Sequence, residues 1–198
     1  MQIVLATHNA HKVEELRRIL APQLPGIEVL AYAGPEPIED GISFTENALI
    51  KARAAAAHTG LPAIADDSGI CVDILGGAPG IFSARWSGPA KDDGENLRLL
   101  LWQLNDVPEQ HRDAHFTCVA ALALPDGTER AVTGEWPGQI LFGPAGANGF
   151  GYDPIFLPEG YAISAAELSA HVKNQVSHRA IAFEGLVPVL REVLGSQP

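Results

Sequence analysis

The chain has 198 residues, 46% hydrophobic and 19% charged, ordinary proportions for a globular protein with a real core, as one large domain or two intimate lobes. Its formal net charge of −11 argues against general nucleic-acid or membrane-surface binding, since either needs a basic face. Two cysteines far apart, Cys71 and Cys118, form no CxxC pair and predict no disulfide framework. Residues 1–9 carry no charged leader or cleavage site, and no apolar run approaches the roughly 18 residues that span a bilayer, so a cytoplasmic location is expected.

Residues 2–6 read as a buried strand. The polar loop Thr7-His8-Asn9-Ala10-His11-Lys12 follows, and then an amphipathic helix with Val13, Leu16 and Leu20 on one face. A strand, polar loop and helix in succession place free N–H groups and a positive dipole end at the loop, which suits phosphate. Thr7 and Asn9 can donate from their side chains, Lys12 adds a point charge, and the backbone of residues 8–11 can wrap an anion. The glycines of a P-loop are missing, and taken alone the loop reads more simply as Asn9 capping a helix with Lys12 in solvent. His8 and His11 have no further metal ligands nearby.

Residues 27–31 read as a second strand, and residues 34–41 as a loop rich in proline and acid, with Glu36, Glu39 and Asp40. Ser43-Phe44-Thr45-Glu46 is a capping box that opens a helix to about Thr59, with Gly60 as its stop. The alanines at 54–57 imply close packing. A short buried strand, Pro62-Ala63-Ile64-Ala65, is expected to end on Asp66-Asp67-Ser68-Gly69. In open α/β sheets, ligands bind beyond the carboxyl ends of strands, where carboxylates can hold a divalent cation or take a proton from water. Alternation of side chains predicts that one Asp faces a cleft while the other braces the turn. The four residues are also turn formers, and the stretch alone reads either way.

Residues 70–75 are apolar, and Gly76-Gly77-Ala78-Pro79-Gly80 reads as cleft wall or turn. Asp92-Asp93 start a helix with Leu97, Leu100, Leu101 and Leu104 at core spacing. Residues 115–124 and 129–136 flank Asp126-Gly127, a hairpin signal, so the sheet is mixed. The glycine-rich residues 143–151 lead into Phe150-Gly151-Tyr152-Asp153, where an aromatic and a carboxylate on a flexible loop can stack on a base and bond its edge, or simply form a turn with two core aromatics. Ser164 and Glu167 form a second capping box, for a short helix before Lys173. Ser177-His178-Arg179 opens the last helix, with Ile181, Leu186, Val189, Leu190 and Val193 as its core face and a kink or break expected at Pro188. Two basic residues at a helix start oppose the dipole, which points them at a ligand.

These motifs gain meaning in order: Thr7-x-Asn9-x-x-Lys12; Glu39-x-Gly41-x-x-Phe44-x-Glu46-Asn47-Ala48-x-x-Lys51-Ala52; Ile64-Ala65-Asp66-Asp67-Ser68-Gly69; Gly76 to Gly80; Gly149-Phe150-Gly151-Tyr152-Asp153-Pro154; and Ser177-His178-Arg179. Over nearly the whole chain the set resembles the inosine triphosphate pyrophosphatase family, the noncanonical purine nucleoside triphosphate pyrophosphatases. The resemblance implies one α/β domain over residues 1–198, an elongated mixed β-sheet flanked by helices, with two lobes and a central active-site cleft, assembled as a homodimer. It implies Mg2+-dependent cleavage of ITP, dITP or XTP between the α- and β-phosphates. Asp67 then corresponds to the catalytic proton acceptor and a metal ligand, and Glu39 to a second metal-side carboxylate. Thr7, Asn9, Lys12, Ser68 and Lys173 correspond to substrate contacts, with His8, Ala10 and His11 contributing only backbone. Phe150, Gly151, Tyr152, Asp153, His178 and Arg179 correspond to nucleotide and base recognition. Asp40 stands where the family often has Thr. The chemistry agrees: a triphosphate carries about four negative charges, so an acidic protein needs Mg2+ with Lys12 and Lys173 to hold it.

Overall fold

A computed structural model describes residues 2–195 apart from Asn9 and Ala21, with residues 10, 11, 14, 15, 194 and 195 described as backbone only. The elements run β1 (Gln2–Leu5), α1 (Ala10–Leu20), β2 (Glu28–Ala31), α2 (Phe44–Thr59), β3 (Ala63–Val72), α3 (Asp93–Gln103), β4 (Asp113–Ala123), β5 (Glu129–Ile140), β6 (Phe156–Pro158), α4 (Ala170–Val176) and α5 (His178–Gly195). The strands form one mixed sheet in the order β2-β1-β3-β4-β5-β6. β1 is parallel to β2 and β3, and β5 is antiparallel to β6. The hairpin expected at Asp126-Gly127 joins β4 to β5: Gly127 has φ 89, and Leu124 N–H donates to the Thr128 carbonyl at 2.9 Å. No helix among the described residues is long and apolar enough to cross a membrane.

The chain divides into two compact units, one of residues 1–67, 118–134 and 178–198, the other of residues 68–117 and 135–177. In the first, alternation along β1 sends Ile3 and Leu5 to one side of the sheet and Val4 and Ala6 to the other. The first side packs against Leu16 and Leu20 of α1 and Phe183, Leu186 and Leu190 of α5. The second side packs against Ala48, Ala52, Ala55 and Ala56 of α2, small residues that let the helix lie close. The α2 ends follow expectation: Ser43 accepts from Glu46 N–H, Glu46 Oε2 accepts from Ile42 N–H, and Gly60 closes the helix at φ 67.

In the second unit, Phe116, Trp136 and Phe156 form an aromatic centre with Phe116 and Phe156 rings 4.7 Å apart, over Leu97 and Leu100 of α3 and Leu104 just after it. Arg112, 1% exposed, is buried beside it. Its guanidinium donates to the carbonyls of Leu104, Val107, Ile140 and Leu141, tying α3 and the turn after it to the end of β5.

Four expectations are corrected. β3 does not end on its carboxylates but runs through Asp66, Asp67 and Ser68 to Val72, because its place in the middle of the sheet overrides local turn preference. The helix expected at Ser164 begins only at Ala170, capped by Ser169. Ser164 N–H does donate to Glu167 Oε2, but Ser164 Oγ bonds the Ala145 carbonyl instead of capping a helix. α5 is not broken at Pro188: that residue and Glu184 are on the exposed face, where water can take up the carbonyl left without a partner. The core face of α5 includes Leu186, Leu190, Val189 and Val193 as expected, joined by Ala182, Phe183 and Val187, but Ile181 is 41% exposed and not part of it.

Candidate active site

Among the described residues, β1 pairs with β3 through Val4 opposite Ala63 and Leu5 opposite Ile64, and Ala6 N–H donates to the Ile64 carbonyl at 2.7 Å. Residues 65–67 therefore run on past the carboxyl end of a parallel neighbour, which is where an open α/β sheet presents ligand-binding side chains. Successive residues point to opposite faces, so Asp66 and Asp67 meet different surroundings.

Asp67 faces α2. Asn47 and Lys51, four apart on one side of that helix, both reach it: Asn47 Nδ2 donates to Asp67 Oδ2 at 3.2 Å, and Lys51 Nζ lies 3.5 Å from Oδ1. Lys51 Nζ also donates to Glu39 Oε2 at 2.9 Å, so Asp67 and Glu39 converge on one ammonium. Asn47 Oδ1 accepts the Gly41 N–H at 3.0 Å, which fastens the loop carrying Glu39 to the helix. A Cβ on Gly41 would stand 2.6 Å from that oxygen. Burial and the nearby Glu39 push the Asp67 carboxyl above the usual carboxylate range, against the opposing pull of Lys51 and Lys12. For Lys51, burial is outweighed by Asp67, Asp66 and Glu39, and its ammonium is held more firmly protonated than usual.

Asp66 is the bracing partner. Its side chain is fully buried, and Oδ2 accepts from Lys12 Nζ at 2.8 Å and from Arg179 Nε at 3.4 Å. Burial alone would raise its pKa, but Lys12, Arg179 and Lys51 overcome that and hold it well below the usual range. Adjacent carboxyls thus have pKa values pushed apart, one firmly ionised and one shifted toward taking a proton, the pattern that separates acid–base roles. Cys118 Sγ lies 4.0 Å from Asp66 Oδ2, and burial pushes that thiol far up.

Of the loop before α1, Thr7 is half-buried, and Asn9 lies outside the described residues. Ala10 begins α1. Nothing is described of the His11 side chain. His8 Nε2 is 3.1 Å from the Gly34 carbonyl and its ring packs on Tyr32, whose hydroxyl donates to the Pro35 carbonyl. His8 thereby touches the start of the loop that carries Glu39. His178 and Arg179 begin α5, both nearly buried. The dipole misfit of Arg179 is answered within the protein by Asp66.

In the second unit, Ser68 follows Asp67 along β3 and is half-buried. Phe150 and Gly151 are half-buried, while Tyr152 and Asp153 are buried. Asp153 Oδ2 accepts the Phe150 N–H at 2.8 Å and the Lys173 ammonium at 2.5 Å, and Lys173 Nζ stands 5.2 Å from the centre of the Phe150 ring. Tyr152 donates its hydroxyl to the Ser83 carbonyl at 2.9 Å. Gly151 N–H donates to Asp93 Oδ2 at 3.1 Å. The segment is therefore a fastened turn, in which Asp153 orients Lys173 and Phe150 offers the accessible ring. Asp153 Oδ2 is committed to its bonds with the Phe150 N–H and Lys173 within the protein.

Sequence alone assigns no site role to Asn47, Lys51, Ser83 and Asp93, and leaves the roles of Asp66 and Asp67 undivided. For Asn47 there was a signal: it falls in the stripe of α2 with Ala48, Ala52 and Ala55, where a buried polar side chain needs a partner. Asp93, Ser83 and the pairing of Asp66 had none, because their partners are remote in sequence.

Among the described residues no three His, Cys, Asp or Glu side chains cluster as a metal cage. The oxygens of Asp67 and Glu39 on either side of one ammonium do suit a hard divalent cation of the kind held by one or two carboxylates plus substrate phosphates.

A mixed sheet flanked by helices, with this acidic and basic constellation at the end of β1, defines an α/β protein of a known type. The chain belongs to the Ham1 family, which it matches over residues 3–189. It is 58% identical over 191 residues to the dITP/XTP pyrophosphatase of Leifsonia xyli subsp. xyli, covering 96% of each chain. It is 59% identical over 200 residues to that of Streptomyces avermitilis, covering 98% of this chain and 99% of the relative. The solved HAM1 protein from Coxiella burnetii superposes with a TM-score of 0.89 at 41% identity, over 97% of this chain and 99% of that one. The nucleoside-triphosphatase / dITP/XTP pyrophosphatase from Mycobacterium abscessus gives 0.78 at 48% identity, over 95% of this chain and 100% of that one.

Proposed function

We propose that this chain hydrolyses noncanonical purine nucleoside triphosphates, ITP, dITP and XTP, to the nucleoside monophosphate and pyrophosphate, removing deaminated purines from the nucleotide pool. Relatives of 58% and 59% identity that are named dITP/XTP pyrophosphatases support the substrate class. The observation that carries the chemistry is the pair of adjacent carboxyls with opposed environments, Asp66 locked in ion pairs and Asp67 turned toward Lys51 and Glu39.

In this reading Asp67 accepts the proton of the attacking water, and Asn47 fixes which carboxylate oxygen faces it. Lys12 and the N-terminal amides of α1 hold phosphate oxygens. Mg2+ would be held by Asp67 and Glu39, supplying positive charge against the polyphosphate. Phe150 stacks on the nucleotide, with Lys173 kept in place by Asp153. His178 and Arg179 aim donors at the 6-keto oxygen, and an adenine amino group would offer them no acceptor there. The active form is a homodimer in the cytoplasm.

The test is product analysis with ITP, XTP and ATP in the presence and absence of Mg2+. Pyrophosphate from ITP and XTP, little from ATP, and dependence on Mg2+ are expected. Nucleotide binding without turnover would make the chain a sensor, and release of orthophosphate would make it a phosphatase. Either outcome overturns the proposal. Sedimentation at micromolar concentration checks the dimer.

A further inference from the structure

Lys12 and Arg179 come from opposite ends of the chain and occupy equivalent places. Lys12 lies in the first turn of α1, Arg179 in the first turn of α5. The two helices pack side by side through Leu16, Leu20, Phe183 and Leu186. Each residue sets a positive charge against the positive end of its own helix. Both direct a nitrogen at the same oxygen, Asp66 Oδ2, in a side chain with 0% exposure. These two cations thus share one oxygen of a buried carboxylate.

We infer that Asp66 is a shared counter-ion that couples Lys12 to Arg179, so that the base-side and tail-side contacts of a purine nucleoside triphosphate are made cooperatively. This deepens the proposed function and rests on its assignment of both cations to the substrate. The coupling follows from competition for one oxygen in surroundings where charges are weakly screened. When a phosphate oxygen takes up the Lys12 ammonium, Asp66 bears more fully on Arg179 Nε and fixes the plane of the guanidinium, and with it the aim of the remaining N–H groups. When a purine oxygen fixes Arg179, Lys12 is released toward the tail. The two effects are equal by thermodynamic linkage. Asp66 acts here as a positioning residue and touches no reacting atom.

The sharpest test is a double-variant cycle on kcat/KM for ITP, using Lys12→Gln, Arg179→Gln and their combination. Each single change is expected to lower kcat/KM by about 10-fold or more. Without Arg179, Asp66 binds Lys12 more strongly and withdraws it from the phosphates, so the combined loss falls short of the product of the single losses by about fivefold or more. In the Asp66→Asn background the losses multiply. Losses that multiply in the native background overturn the coupling while leaving the substrate roles intact. Single changes without effect overturn the substrate roles themselves. Asp66→Asn removes a buried counter-ion and can fail to fold, so calorimetry on the native protein supplies a second measure. Inorganic pyrophosphate is expected to tighten the binding of inosine about fivefold or more, and independent binding of the two would overturn the inference.

Discussion

Asn47 donates to Asp67 across 3.2 Å with one end of its amide, while the other end accepts the Gly41 N–H at 3.0 Å. A single side chain, 2% exposed, thereby orients the proposed proton acceptor and anchors the loop that bears Glu39. Replacement by Ala removes both bonds, one to the half-buried Gly41 N–H and one to Asp67 Oδ2. Asn47→Ala is expected to lower kcat about 10-fold or more, the usual effect of losing a group that orients a site residue, and to destabilise by about 1–3 kcal/mol. Pyrophosphate-release kinetics and a thermal melt check both, and unchanged kcat would deny Asn47 its orienting role.

The cysteines give a pH-dependent prediction. Burial raises the pKa of Cys118 far above that of a free thiol, and Asp66 raises it further. Cys71 is raised for the same first reason. A raised thiol pKa means less thiolate at any given pH, and the thiolate is the reactive form. Native protein at pH 8 should react with iodoacetamide far more slowly than the same protein in urea, and rapid alkylation of either residue before unfolding would contradict the burial.

The turn that carries Phe150 depends on a residue without a side chain. Gly149 has φ 76, and a Cβ there would stand 2.1 Å from Asp153 Oδ2. Gly149→Ala should displace Asp153 from Lys173, with backbone strain of about 1–3 kcal/mol. The expected signature is a raised KM for ITP with a smaller change in kcat, measured by steady-state kinetics. Wild-type KM would show that this turn does not govern nucleotide binding.

Arg112 is the corresponding dependence in the fold. Its guanidinium satisfies four carbonyls, and no shorter side chain reaches them. Arg112→Ala should destabilise by about 3 kcal/mol or more, read from urea denaturation. A loss below about 1 kcal/mol would mean that water replaces it freely.

Local pattern made much of this legible. The apolar run of β1, the capping box at Ser43 and Glu46, and the Asp126-Gly127 hairpin are signals carried by neighbouring residues, and each element forms as expected. Tertiary context decided the rest. Asp66, Asp67 and Ser68 read as a turn in isolation but lie within a central strand. Ser164 has the spacing of a helix cap, yet its hydroxyl is taken by the Ala145 carbonyl. The pairing of Asp153 Oδ2 with Lys173 and the Phe150 amide was likewise not readable, because Lys173 is twenty residues away. The alternation rule did foresee that Asp66 and Asp67 would meet different surroundings. It did not say which would meet Lys12 and Arg179, because those partners are far away in sequence.

The most direct measurement is pyrophosphate release from ITP by Asp67→Asn, alongside its melting temperature. The side chain keeps its size and its bond to Asn47 can be remade by an amide flip, but it can no longer take a proton. Activity is predicted to fall by at least about 100-fold with the melting temperature nearly unchanged. A folded Asp67→Asn protein with wild-type turnover would contradict the account at its centre.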